Sequence, residues 1–166
     1  KVARVLQLPY PGGPEIDKLA KEGKNIYHLS VSNALKNSYN FSFSGIKTAV
    51  VNFVHNKAQK NEEINKADIA CSFQEAVTEE LCEKAVRACQ VEGTGKLVVA
   101  GGVGANSRLK EKLSNACLER RIDFYAPVLK YCTDNAAMIG SAAFFMLKSG
   151  LALANLDLTA KANVGL

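Results

Sequence analysis

One stretch, LVVAGGVGANSRL at residues 97–109, constrains the fold more than any other part of the sequence. Its apolar start predicts a strand from Leu97 to Ala100, and the glycines that follow predict a tight turn. Asn106 then stands where a helix would begin, because asparagine is a favoured N-cap residue. A strand, a glycine turn and a helix in this order are typical of α/β folds.

The glycine turn matches neither of the two best-known nucleotide-binding loops. The dinucleotide fingerprint fails because Gly102 and Gly104 are followed by Ser107, and a phosphate-binding loop needs a Lys that this turn lacks. Gly101 and Gly102 still predict a ligand site, because a ligand can closely approach a backbone without Cβ atoms and bind the free N–H groups of the helix start. Asn106 is then either a ligand-binding residue or only the helix cap.

The rest of the chain alternates predicted helices and strands. In chain order we expect the end of a helix in KVARVLQL, a helix from Pro14 to Gly23, strands in IYHLSV and YNFSFSG, and a helix capped by Ser44. A long helix from Ala67 to Gln90 follows, then the opening strand and helix, a strand from Ile122 to Tyr125 and a last helix ending at Gly150. In YNFSFSG the alternation puts Phe41 and Phe43 on one face. The long helix has an apolar stripe at Ile69, Phe73, Val77, Leu81, Ala85 and Ala88. This order predicts an α/β fold with a parallel component.

The composition predicts one globular domain over residues 1–166, with 48% hydrophobic and 22% charged residues. The longest apolar run, residues 136–147, is shorter than the roughly 20 residues needed to span a bilayer. The chain starts at Lys1 and shows no signal-peptide pattern, so we expect it to begin inside a larger protein.

The five cysteines are odd in number and include no C-x-x-C pair, which argues against a zinc cage or a disulfide framework. They suit a reducing cytosol, and we predict that they fill the core. They are Cys71, Cys82, Cys89, Cys117 and Cys132.

The net charge of +5 favours a polyanionic partner without proving one. The basic residues are densest at Lys18, Lys21, Lys24, Arg108, Lys110, Lys112, Arg120 and Arg121. Such clusters are either solvated helix faces or RNA contacts, and charge alone leaves both open.

Several polar residues have a structural and a functional interpretation. Asp17 either complements the dipole of its helix or binds a ligand, and Asp134 either serves the helix that follows it or binds a metal. His28 and His55 lie on separate predicted elements, so the residues alone do not predict a complete metal site.

Five motifs, in this order, resemble the carboxyl-terminal half of the tRNA N6-adenosine threonylcarbamoyltransferase family. They are LPYPGGPEIDKLAKEG, FSFSGIKTAV, SFQEAV, AGGVGANSRL and YCTDNAAMIG. The resemblance implies most of the second lobe of the actin, Hsp70 and sugar-kinase type of ATPase fold, a mixed sheet flanked by helices. It also implies a cytoplasmic enzyme that transfers threonylcarbamoyl from its adenylate to an adenosine of tRNA.

The resemblance further implies site residues, although it assigns no catalytic residue within the chain. Gly13, Asp17 and Asn106, with Gly101 and Gly102, would contact ATP or threonylcarbamoyl-adenylate. Asp134 would be one ligand of a single divalent metal, iron or zinc, whose other ligands come from a His-x-x-x-His motif outside this chain. The resemblance also implies binding to partner proteins of the same pathway and assembly into an oligomer.

Two alternatives remain open at this point. The first is an ATP-dependent kinase or ATPase of the same fold, because a fold does not determine a function. The second is a catalytically silent interaction module. The tail TAKANVGL lacks the Trp that is usual near the end of the family, and we expect the isolated chain to be inactive.

Overall fold

The computed structural model of the chain describes residues 1–29, 35, 37–151, 155, 157 and 159. It divides the chain into two compact units, Lys1–Cys132 and Thr133–Leu166, and the single domain stays a prediction. The first unit contains α1 (Val2–Val5), α2 (Gly12–Ala20), α3 (Ser44–Gln59), α4 (Lys66–Val91), β1 (Lys96–Val98), α5 (Ser107–Glu119) and β2 (Asp123–Tyr125). Two short 3-10 turns lie at Gly102–Ala105 and Leu129–Tyr131.

The two strands pair in parallel, which confirms the predicted α/β class with a parallel component. Leu97 lies opposite Phe124 in the register. The Val99 N–H extends the ladder beyond β1 by donating to the Tyr125 carbonyl at 2.9 Å. Helix α5 connects the strands, as a parallel pair requires a crossover. The described residues contain no antiparallel pair, so the mixed sheet stays a prediction.

Two clusters of buried apolar side chains form the core of this unit, and α4 contributes to both. The first cluster contains Val2, Leu6, Ile16, Ala20, Val50, Ile69 and Ala70. The second contains Cys82, Val86, Cys89, Leu109, Leu113, Cys117 and Ile122. Helix α4 begins at the Asn65 cap, whose side chain accepts from the Ala67 N–H at 2.9 Å. Its 26 residues make it about 39 Å long, so it can reach both clusters.

The cysteines are free, and four of the five are buried, as predicted for core residues. Cys71 is the exception and is only partly buried. Burial raises the pKa of the Cys82 and Cys117 thiols, which keeps them protonated and unreactive.

The two strands predicted before α3 are wrong for the described residues. Residues 26–29 form no strand, and Ser30 and Val31 lie outside the described residues. YNFSFSG is irregular up to α3, although the Phe41 and Phe43 rings do share one face and stack with centroids 5.8 Å apart.

A physical reason is visible at residues 38–40, where side chains of α4 occupy the backbone acceptors. Arg87 Nη2 donates to the Ser38 carbonyl at 2.9 Å, and Lys84 Nζ donates to the Asn40 carbonyl at 2.6 Å. A strand would have used these carbonyls in a ladder with a neighbouring strand.

Helix ends differ from the prediction by a few residues. Helix α2 begins at Gly12 and ends at Ala20, whereas the sequence predicted Pro14 and Gly23. Ser44 is not a cap: it is the first residue of α3, and the cap residue is Phe43, which makes no side-chain capping bond. The Ser44 carbonyl instead accepts from the Thr48 hydroxyl at 2.9 Å.

The second unit contains one described helix, α6 (Ala136–Lys148). Its cap is Asn135, whose side chain accepts from the Met138 N–H at 2.9 Å. Gly150 follows the helix with φ of +77°, a left-handed conformation that favours glycine, and so confirms the predicted stop. Across the described part of both units, no helix is long and apolar enough to cross a bilayer.

Candidate functional site

A cleft of about 830 Å³ opens in the first unit between α2 and α4. Phe73, Val77 and Leu81, one turn apart on α4, form its apolar wall. They belong to the apolar stripe that the sequence predicted, but they are only partly buried because they face the cleft. The cleft can therefore accept the flat apolar surface of a ligand.

The polar lining of the cleft carries positive charge. Lys1, Arg4 and Lys47 are among its lining residues, and no Asp or Glu is among the described residues that line it. Lys47 lies in the first turn of α3, and none of the described residues forms an ion pair with it. This arrangement favours a ligand with an anionic group.

The structure brings Asp17 and Asn106 together, although 89 positions separate them in the sequence. Asn106 Nδ2 donates to Asp17 Oδ1 at 3.1 Å and to Gln74 Oε1 at 2.9 Å. The Ser107 hydroxyl lies 3.0 Å from both carboxylate oxygens of Asp17. Helices α2, α4 and α5 thus meet in one hydrogen-bonded group beside the cleft.

Asn106 is the cap of α5, as one interpretation of the sequence predicted. Its Oδ1 accepts from the Leu109 N–H at 2.8 Å. It also lines the cleft, together with Gly13 and Gln74. Capping and ligand binding are therefore compatible roles for this side chain.

The glycines differ in what surrounds them. A Cβ on Gly13 would meet no protein atom within 4 Å, and the same is true of Gly102. Gly101 has φ of +82°, which allows the sharp turn after β1. Of the lining residues only Val103 and Asn106 come from the segment 101–106, whereas Gly101, Gly102 and Asp17 do not line the cleft.

Replacing Gly13 with alanine should separate ligand binding from folding. Gly13 is the second residue of α2 and has open space around it, so the new methyl group should raise the free energy of unfolding by at most about 0.5–1 kcal/mol through helix propensity. If a nucleotide lies against this backbone, the same methyl group should weaken ATP binding several-fold. Thermal unfolding and calorimetric titration with ATP measure the two effects. Equal ATP affinity for both proteins would mean that no ligand approaches Gly13.

Two basic residues of α5, Arg108 and Lys112, are paired with carboxylates. Arg108 forms a two-point contact with Glu75, and Lys112 Nζ lies 3.1 Å from Glu75 Oε2. Burial raises the pKa of Glu75, but these two cations outweigh it and hold that pKa below its ordinary value. Arg108 also pairs with Glu111 at 2.8 Å. Arg108 and Lys112 therefore support the packing of α5 on α4, and RNA contact by the other basic residues stays a prediction.

Asp134 lies in the second unit. The sequence allowed Asp134 to cap α6, but the cap residue is Asn135. Asp134 is exposed. Within the described residues, no three His, Cys, Asp or Glu side chains converge on a point that could hold a metal ion. The described residues therefore do not fit a complete metal site, and Asp134 can supply at most one ligand.

Sequence reasoning missed two residues of the cleft, Gln74 and Lys47. Both stand in motifs that support the family resemblance, SFQEAV and FSFSGIKTAV. The motif letters did not show which helix face would meet the cleft, so neither residue received a role.

Comparison with known proteins shows what the chain is similar to. A family model described as tRNA N6-adenosine threonylcarbamoyltransferase matches residues 1–141. A protein of that name from Staphylococcus haemolyticus is 49% identical over 164 residues, which cover 99% of this chain and 48% of the relative. The Caldicellulosiruptor saccharolyticus protein is 48% identical over 151 residues, covering 90% and 44%. The Clostridium perfringens protein is 47% identical over 167 residues, covering 100% and 49%.

The chain spans about half the length of these relatives. The matches do not favour the kinase or the interaction-module alternative. They agree with the resemblance carried by the five motifs. The chain belongs to the tRNA N6-adenosine threonylcarbamoyltransferase family.

Proposed function

We propose that the protein containing this chain transfers a threonylcarbamoyl group from an adenylate to N6 of an adenosine in tRNA. The chain contributes the nucleotide-binding cleft of this transferase, as most of its second lobe. The relatives bear the name of this activity, and the five free cysteines suit a cytosolic enzyme.

The observation that carries this proposal is the chemistry of the cleft. An adenylate combines a flat apolar base with an anionic phosphate. The cleft offers Phe73, Val77 and Leu81 on one wall, and a cation such as Lys47 with no acidic lining residue. Both parts of an adenylate therefore find a complementary surface.

Each site residue has a distinct role in this proposal. Gly13 leaves space for the ligand at the start of α2, and the turn at Gly101 and Gly102 directs the backbone toward α5. Asn106 holds the start of α5 and faces the ligand. Asp17 orients the Asn106 amide through the 3.1 Å hydrogen bond and so acts through that side chain.

Reversing the charge of Lys47 should test the electrostatic part of the proposal. We expect Lys47→Glu in the full-length protein to weaken ATP binding about tenfold, because a cation near the phosphates becomes an anion. Lys18→Glu is the matched control, since Lys18 is exposed on α2 and does not line the cleft. Calorimetric titration at two salt concentrations measures the change. Equal losses for both variants would show a net-charge effect and contradict the proposed phosphate position.

We further propose Asp134 as one ligand of a divalent metal, with the remaining ligands outside this chain. Asp134→Asn in the full-length protein should lower the metal content per protein well below that of wild type, because a carboxylate oxygen is lost. The melting temperature of the metal-free protein should stay unchanged, since Asn135 caps α6. Elemental analysis measures the metal, and Asp157→Asn, at another exposed aspartate of this unit, is the control. Wild-type metal content in Asp134→Asn would remove Asp134 from the site.

A further inference from the structure

Gln74 is a buried polar side chain that lines the cleft beside Asn106. It lies on α4 with 7% of its surface exposed. It lines the 830 Å³ cleft together with Gly13 and Asn106. A buried amide costs free energy unless its groups are hydrogen-bonded, so each end of this amide needs an account.

The orientation of the Gln74 amide follows from the Leu109 N–H, to which it is linked by two hydrogen bonds through Asn106. The Leu109 backbone N–H can only donate, so the Asn106 atom that it contacts at 2.8 Å is the acceptor Oδ1. Asn106 therefore presents its Nδ2 donor to Gln74, and the Gln74 atom 2.9 Å away must be the acceptor Oε1. Gln74 Nε2, with two N–H donors, is left at the other side of the amide.

Gln74 Nε2 has no hydrogen-bond partner among the residues that the structure describes. Over the same residues, every fully buried side-chain nitrogen or oxygen does have a partner. Nε2 therefore keeps some accessible surface. Gln74 lines the cleft and also a smaller cavity. Glu75 and Glu111 line the smaller cavity, whereas the described residues that line the cleft include cations and no Asp or Glu.

We propose that Gln74 binds the nucleotide, with its Nε2 donating to an acceptor oxygen of the ribose or of the phosphates in the cleft. This inference rests on the proposed function, because it assumes a nucleotide there. Asn106 and the packing of α4 already hold the amide in place, so little conformational entropy is lost when the ligand binds. The Asn106 bond thus serves both residues: it fixes the Gln74 donor and satisfies the Gln74 acceptor.

Two substitutions in the full-length protein separate the donor from the contact with Asn106. Gln74→Glu retains an oxygen that can accept from Asn106 but has no donor toward the cleft. Gln74→Met is neutral and has neither group. Gln90→Glu makes the same chemical change at an exposed position of α4 that does not line this cleft, and serves as the control.

The affinities for ATP, 2′-deoxyATP, 3′-deoxyATP and adenosine are measured by calorimetric titration. We expect Gln74→Glu and Gln74→Met each to weaken ATP binding about tenfold, as for one lost ligand hydrogen bond, with Gln90→Glu unchanged. The loss should disappear with the one analogue that lacks the contacted oxygen. If the loss disappears with a deoxynucleotide, Gln74 contacts the ribose. If it disappears with adenosine, Gln74 contacts the phosphates.

Each other outcome overturns the inference. If Gln74→Glu binds ATP as well as wild type, Gln74 serves only to position Asn106. If only Gln74→Glu binds ATP more weakly, the new charge is the cause. If the affinity loss is equal for all four ligands, Gln74 contacts neither a ribose oxygen nor a phosphate oxygen. A wild-type protein that binds none of them contradicts the proposed function itself. Melting curves show that each variant is folded, and Gln74→Glu, with its Asn106 contact kept, decides the matter if Gln74→Met does not fold.

Discussion

Replacing Gly23 with alanine is expected to lower the free energy of unfolding by about 3 kcal/mol. A Cβ atom at Gly23 would lie 2.1 Å from the carbonyl oxygen of Ala67 and 2.7 Å from the backbone nitrogen of Asp68. These are backbone atoms in the first turn of α4, and they cannot turn away as a flexible side chain could. The segment after α2 would have to move away from α4, which would also strain the 2.7 Å bond from the Lys24 N–H to Asp68.

Gly95→Ala is the matched control for this prediction. A Cβ on Gly95 would meet no protein atom within 4 Å, so its substitution should change stability by less than about 0.5 kcal/mol. Urea unfolding curves of the two variants give the comparison. If Gly23→Ala and Gly95→Ala have similar unfolding curves, the Gly23 backbone does not lie as close to α4 as the structure shows.

Truncating Lys84 is expected to cost about 3 kcal/mol of stability, because it breaks a buried ionic contact from one side. The Lys84 side chain is only 3% exposed. Its Nζ lies 2.5 Å from Glu80 Oε1 and 2.6 Å from the Asn40 carbonyl, and 5.3 Å from the centre of the Phe41 ring. Lys84→Ala would leave the Glu80 carboxylate and the Asn40 carbonyl without this donor.

The double variant Lys84→Met with Glu80→Gln should be closer to wild type than Lys84→Ala, because no unpaired charge remains. Lys57→Ala provides an exposed comparison: Lys57 pairs with Glu62 at the surface, and its loss should have a much smaller effect. Denaturant unfolding of the three variants tests the order. A Lys84→Ala protein as stable as Lys57→Ala would show that the buried pair contributes little.

Local sequence patterns were sufficient to predict the long helix α4 and the turn that leads into α5. Helix α4 was predicted within one residue at each end, because its apolar spacing and polar boundaries are local signals. The parallel pairing also followed from the strand, helix, strand order. Residues 39–43 show the limit, because their alternation resembles a strand. Lys84 and Arg87, more than 40 residues later, instead bind the Asn40 and Ser38 carbonyls.

The candidate site was predictable in part, and mainly through the family resemblance. The residues alone left Asp17 either a complement to the helix dipole or a ligand-binding residue, whereas the structure places its Oδ1 3.1 Å from Asn106 Nδ2. Gln74 had no role because a glutamine in an amphipathic helix gives no local sign of what its amide will meet. That information depends on α5 packing against α4, which only the tertiary structure supplies.

The shared use of α4 by both core clusters has a dynamic consequence. Gln74 stands between Ile69, in the first cluster, and Cys82, in the second. If either cluster alone loosens, the other still anchors this part of the helix. We therefore expect its amide protons to exchange with solvent mainly through an opening that disrupts both clusters. We therefore expect the cleft wall to be among the slowest-exchanging parts of the first unit, so that a ligand would meet a surface that is already ordered.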